Sequence, residues 1–154
     1  MTISDTAWTS AVWATPEFRA ELRAFVARAV GEPTTFEPHQ VRPWSTVWRV
    51  ETATGRFYAK QNCPGQAHEA RLLSVLSRIA PEHVVPVAAA DPDRDLLLTE
   101  DLGDTLREAG GVQDVDTWCR IVRDAALLQR AVVPYADELG LCRMPPEEAT
   151  TYVG

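Results

Sequence analysis

The chain has 154 residues, with 15 basic against 22 acidic side chains, a net charge of −7 and 45% hydrophobic residues. That is the length of one domain, and the ordinary globular composition excludes wholesale disorder. The acidic balance argues against a nucleic-acid partner, and no stretch nears the eighteen or so apolar residues of a membrane span.

The opening Met1-Thr2-Ile3-Ser4-Asp5 lacks the basic and apolar regions of a secretory signal, so a cytoplasmic protein is expected. Thr15-Pro16-Glu17 reads as a helix start: a hydroxyl cap, proline at the first helical position, then an acid at the positive dipole end. Phe18, Leu22, Phe25, Val26 and Ala29 recur at helical spacing before Gly31, which predicts a helix over 16–30. The period then changes. Thr35–Val41 is a candidate strand interrupted by Pro38. Ser45–Thr52 and Arg56–Gln61 are rich in β-branched and aromatic residues and flank the turn Ala53-Thr54-Gly55, a hairpin pattern. Trp44 and Trp48 read as rim or core aromatics.

Cys63-Pro64-Gly65 breaks that hairpin, and 66–79 reads as a helix with Ala70, Leu73, Leu76 and Ile79 on one face. Pro81 ends it. Two further strands are predicted over 83–90 and 94–100, joined by Asp91-Pro92-Asp93. A short helix is predicted at Thr105–Ala109, stopped by Gly110-Gly111. A long helix then runs from Asp114 or Asp116 to about Val132, with Trp118, Ile121, Val122, Ala125 and Leu128 in line, and Pro134 closes it. A turn follows at Met144-Pro145-Pro146, and Glu147-Glu148 reads as a solvated helix start. The order is α+β, with segments 1–34, 35–103 and 104–154. Asp93, Asp95, Glu100, Asp101 and Asp104 read as a solvated turn and junction.

Cys63, Cys119 and Cys142 are odd in number and far apart, and no C-x-x-C or Cys/His metal spacing occurs, so reduced thiols are expected. His39, His68 and His83 are scattered and read as structural. One bias is informative. Fourteen of the basic residues are arginine, and the single lysine is Lys60. A compact ammonium on a flexible stem does work that a planar guanidinium cannot.

Lys60 lies on a predicted strand, Glu69 near the start of the next helix, and Leu96-Leu97-Leu98-Thr99-Glu100-Asp101 leads out of a later strand. Kinase-type nucleotide sites use this order: a strand lysine on the α/β-phosphates, a helix glutamate that holds it, and a hinge. The segment Val41–Gly103 resembles the N-terminal lobe of the aminoglycoside phosphotransferase/choline kinase-like family, a branch of the protein-kinase-like fold. The likeness rests on Arg42-Pro43-Trp44-Ser45-Thr46-Val47-Trp48-Arg49-Val50, Gly55–Lys60, His68-Glu69-Ala70-Arg71-Leu72-Leu73 and Leu96–Gly103.

The resemblance implies an antiparallel sheet with an αC-type helix, followed by the first helices of a truncated helical C-lobe. It implies ATP or GTP with Mg²⁺ as cofactor, and a small hydroxyl-bearing substrate, cationic in some members. Lys60 would contact the phosphates and Glu69 would orient it. Ser45 and Thr46 would lie in the loop over the phosphates. Leu98 would take the gatekeeper position, and the Thr99 carbonyl and Asp101 amide would pair with the purine. The family's H-G-D-x-x-x-x-N catalytic loop and its later metal-binding Asp are not in this sequence, and Asn62, the single asparagine, is on another element. The catalytic Asp is therefore expected beyond Gly154, and the chain is expected to be a truncated phosphotransferase without transfer activity of its own. The alternative is a non-catalytic nucleotide-binding or interaction module that needs a partner chain, with self-association through the apolar stripe Trp118–Leu128.

Overall fold

A hydroxyl followed by a proline suits a helix start on two counts, a side-chain acceptor and a fixed φ. In the computed structural model, which describes residues 8–141 and 146–148, helix α1 spans Pro16–Val30 as predicted. The Thr15 hydroxyl accepts from the Phe18 amide at 3.2 Å. Gly31 closes the helix at φ 91°, a left-handed value that strains other residue types. A 3-10 turn over Ser10–Ala14 precedes α1 and buries Trp13.

Among the described residues five strands form one sheet: β1 Thr35–Arg42, β2 Ser45–Thr52, β3 Gly55–Asn62, β4 Val87–Asp91 and β5 Leu96–Glu100. All neighbours are antiparallel, in the order β1-β2-β3-β5-β4. The α+β class and the antiparallel sheet expected from the sequence are therefore present. Pro38 is tolerated because β1 is an edge strand whose register shifts between Pro38 and Gln40.

β4 and β5 are shorter than the predicted strands. A 3-10 turn over Pro81–His83 takes the start of one, and the turn after Asp91 takes the start of the other. In that turn the Arg94 guanidinium bonds Asp91 Oδ2 at 2.8 Å through Nε and Glu21 of α1 at 2.6 Å through Nη1. The hydrogen bond from Arg94 holds the Asp91 carboxyl below the usual carboxylate range.

Helix α2 spans Glu69–Ile79, three residues later than predicted, because Pro64–Gln66 forms a separate 3-10 turn. Helix α3 spans Val115–Val132, and the Asp114 side chain caps it by accepting from the Asp116 amide. The short helix predicted at Thr105–Ala109 is a single hydrogen-bonded turn, Ala109 N–H to Thr105 O at 2.9 Å, which ends at Gly110 with φ 74°.

Alternation along the strands gives the sheet two different faces. One face carries Trp48, Val50, Phe57, Ala59, Leu96 and Leu98, which form a buried cluster with Phe18, Leu22, Phe25 and Val26 of α1. Trp48 stacks on Phe36 at 4.7 Å. Residues 16–30 thus share one core with the sheet. The other face carries α2, whose Ala70 and Leu76 are buried. No α3 residue is buried among the described residues. Its neighbourhood is tied to α2 by Arg71 and Arg78, which bond the carbonyl and carboxylate of Glu138 at 3.1 and 2.5 Å.

Cys63 and Cys119 are free thiols. Among the described residues no helix is long and apolar enough to cross a membrane. Cys142, the start of the turn expected at Met144-Pro145 and the opening residues 1–7 lie outside the described residues.

Candidate functional site

Lys60 stands opposite Val47 of β2 and Leu97 of β5, so these three share a face. Tyr58 and Asn62 flank Lys60 on that face, with Thr99 opposite Tyr58 and Ser45 opposite Asn62. This is the face that α2 covers. The first residue of α2, Glu69, places Oε2 2.5 Å from Lys60 Nζ. The two side chains are 29% and 30% exposed, so the pair is reachable from solvent.

A second group fixes the same carboxylate oxygen. Asn62 Nδ2 donates to Glu69 Oε2 at 2.8 Å and to Asp95 Oδ2 at 2.9 Å. Asp95 is only 3% exposed. Its carboxylate also accepts from the Asn62 amide at 3.2 Å and from the Ala70 amide at 3.0 Å. Asp95 therefore caps α2 from a distant turn, beside the positive end of the helix dipole. It takes a left-handed φ of 48°, the only positive φ at a non-glycine described residue, and aspartate tolerates that region better than most.

A cavity of about 430 Å³ opens beside the pair, lined by Trp44, Ser45, Lys60, Asn62, His68 and Glu69 among others. Its wall carries the Lys60 ammonium paired with the Glu69 carboxylate, and the Ser45 side chain on the neighbouring strand. Among the described residues no group of three His, Cys, Asp or Glu side chains is arranged to hold a metal ion.

Past β5 the chain turns back on itself. The Asp101 amide donates to the Arg56 carbonyl at 3.0 Å, and the Gly103 amide donates to Asp101 Oδ1 at 2.8 Å. Thr105 and Glu108 form a reciprocal capping box, in which the Thr105 amide and hydroxyl donate to Glu108 Oε2 at 2.8 and 2.7 Å. The Thr105 hydroxyl bond keeps the Glu108 carboxyl below its usual range. His39 of β1 lies against the Tyr58 ring at 5.3 Å.

The geometry brings together Lys60, Glu69 and Ser45, and corrects three expectations. Ser45 and Thr46 are not in a loop: both are buried in β2, and the turn before them is Pro43-Trp44. Thr46 faces α1, where its hydroxyl accepts from Trp48 Nε1 at 3.1 Å. Leu98 also faces α1 and is fully buried there, so the β5 side chains on the Lys60 face are Leu97 and Thr99. The Asp101 amide is taken by Arg56. Successive residues of a strand face opposite ways, which separates Leu98 from Lys60.

Asp95, expected in a solvated turn, is buried, and Asn62, which as expected is not part of a catalytic loop, lies at the end of β3 and bonds it. Both are at the centre of the site. The available signal was position: Asp95 immediately precedes the apolar run Leu96-Leu97-Leu98, and Asn62 is two residues, one side-chain repeat, beyond Lys60. No family model matches the sequence, and no curated protein matches it.

Proposed function

We propose that the chain carries the nucleotide-binding half of a small-molecule phosphotransferase, built like the N-terminal lobe of the aminoglycoside phosphotransferase/choline kinase-like family. The observation that carries this reading is the Lys60–Glu69 contact of 2.5 Å between a central strand and the first residue of a helix. It holds the chain's single lysine on the wall of an open cavity. On this reading Lys60 meets the α/β-phosphates of ATP or GTP, and Glu69 keeps it extended. Mg²⁺, when bound with the nucleotide, neutralises further phosphate charge. The acceptor, a hydroxyl-bearing small molecule, is assigned no residue of this chain.

The face assignment also moves the purine contacts one residue along. Thr99 replaces Leu98 ahead of the hinge, because it shares the Lys60 face. The pairing backbone becomes the Glu100 carbonyl and the Leu102 amide. Leu102 is 70% exposed. Tyr58, two residues before Lys60, offers its ring to the base.

Calorimetric titration of the chain with Mg-ATP and with adenosine tests the reading. ATP is expected to bind at least about tenfold tighter, the scale of one charge-assisted contact. Equal affinity for the two ligands, or no heat from either at millimolar concentration, removes it.

A second reading, a non-catalytic module that pairs with another chain, is favoured by α3. Val115, Ile121 and Val122, which share one face of that helix, are 70%, 41% and 65% exposed. Single exposed apolar residues are ordinary, but a run on one helix marks an interface. On this reading sizing chromatography gives a concentration-dependent dimer; a monodisperse monomer across the concentration range counts it out.

A further inference from the structure

Two donors converge on one oxygen of Glu69. One is the Lys60 ammonium at 2.5 Å and the other is the Asn62 amide at 2.8 Å. A carboxylate side chain on a half-exposed helix end has several rotamers available, and a single partly solvated ion pair restrains it weakly. The Asn62 amide supplies the second restraint, and it is not free to wander. Its other hydrogen goes to Asp95 Oδ2, and its own backbone N–H goes to the same oxygen. Asp95 in turn holds the Ala70 amide at the start of α2. One buried carboxylate therefore fixes both the residue that bonds Glu69 and the helix that carries Glu69.

We propose that Asn62, anchored by Asp95, is the positioning residue of this site: it sets the Glu69 carboxylate so that one oxygen is delivered to Lys60. For its nucleotide consequence the proposal rests on the reading above. For the geometry of the pair it does not.

Because the chain has a single lysine, its acylation by an amine-reactive ester reports on one side chain. Peptide mass spectrometry separates it from the terminal amine. The rate is measured at one pH for the parent chain, Asn62→Ala, Glu69→Ala and the double variant. Asn62→Ala leaves Asp95 on its two backbone donors, so α2 keeps its cap. It is expected to raise Lys60 acylation by about fivefold, the order of one net hydrogen bond. Glu69→Ala is expected to raise it at least as much. The double variant is expected to react no faster than Glu69→Ala, because Asn62 acts through Glu69.

An unchanged rate in Asn62→Ala overturns the proposal. So does an equal increase in the Glu69→Ala background, which is what general loosening of the strand end produces. Asn62→Ser keeps a short donor toward Asp95 that does not reach Glu69, and it carries the same comparison if the alanine variant does not fold. The nucleotide arm is separate. Asn62→Ala is expected to weaken Mg-ATP severalfold and leave adenosine unchanged. If Lys60→Ala leaves Mg-ATP affinity unchanged, the nucleotide reading fails while the labelling result stands.

Discussion

Lys60→Ala is expected to weaken Mg-ATP binding by about ten- to a hundredfold and to leave adenosine binding unchanged. The phosphates lose the ammonium, and the Glu69 carboxylate, no longer neutralised, is left facing them across the cavity. The fold should notice little. The Lys60 and Glu69 side chains are 29% and 30% exposed, and partly solvated ion pairs of this kind contribute at most about 1 kcal/mol. The melting temperature therefore stays near that of the parent chain, which separates lost binding from lost structure. Lys60→Arg is not expected to rescue it, because a planar guanidinium does not follow the ammonium's path to both Glu69 and a phosphate. Calorimetry on folded variants is the measurement. An ATP affinity unchanged by Lys60→Ala refutes the assignment of this lysine to phosphate.

Asp95→Ala is expected to have the largest effect on stability, about 3–4 kcal/mol. The residue is 3% exposed and accepts three hydrogen bonds: from the Asn62 amide, the Asn62 side chain and the Ala70 amide. Removing the acceptor strands those donors where water does not easily replace it, and each stranded donor costs about 1–3 kcal/mol. The N-terminus of α2 loses a negative charge as well. At this chain length the loss corresponds to a fall of roughly 10 °C in the melting temperature. Asp95→Asn keeps an oxygen for the Ala70 amide but turns an NH₂ toward the Asn62 donors, so it should fall between the two. Thermal melts followed by circular dichroism decide the matter. An Asp95→Ala melt within about 2 °C of the parent would show that these bonds carry no net stability.

Elements whose pattern is local were legible in the sequence. Helix α1 matches its predicted span because a cap, a proline and a glycine mark its two ends. The β2–β3 hairpin matches because its turn is short and glycine-containing and β2 is rich in β-branched and aromatic residues. Lys60 and Glu69 were legible because one is the single lysine and the other opens a helix. What failed was anything that depends on which way a continuous apolar strand faces. Leu96-Leu97-Leu98 is buried on both sides, so its composition carries no alternation and does not tell that Leu98 faces α1. The β-branched pattern of Ser45–Thr52 predicts the strand that forms, whereas the loop position for Ser45 and Thr46 came from the family resemblance, and their register against Asn62 and Gln61 puts them in the sheet. Asp95 was illegible for another reason. Its role is set by contacts 25 and 33 residues away, and nothing next to it in the sequence records them.

The strand order also bears on how the site assembles during synthesis. β1, β2 and β3 form a meander through two short turns, so they can pair as soon as they leave the ribosome. β5 cannot join them until α2 and β4 have been made, because it inserts between β3 and β4. Closing that long loop is the slow, entropically costly step, and short-range turns do not share its cost. Asp95 is delivered at the leading end of β5. The lysine and its glutamate are thus synthesised well before the carboxylate that fixes their geometry, and a nascent chain halted ahead of β5 holds both partners without the means to align them.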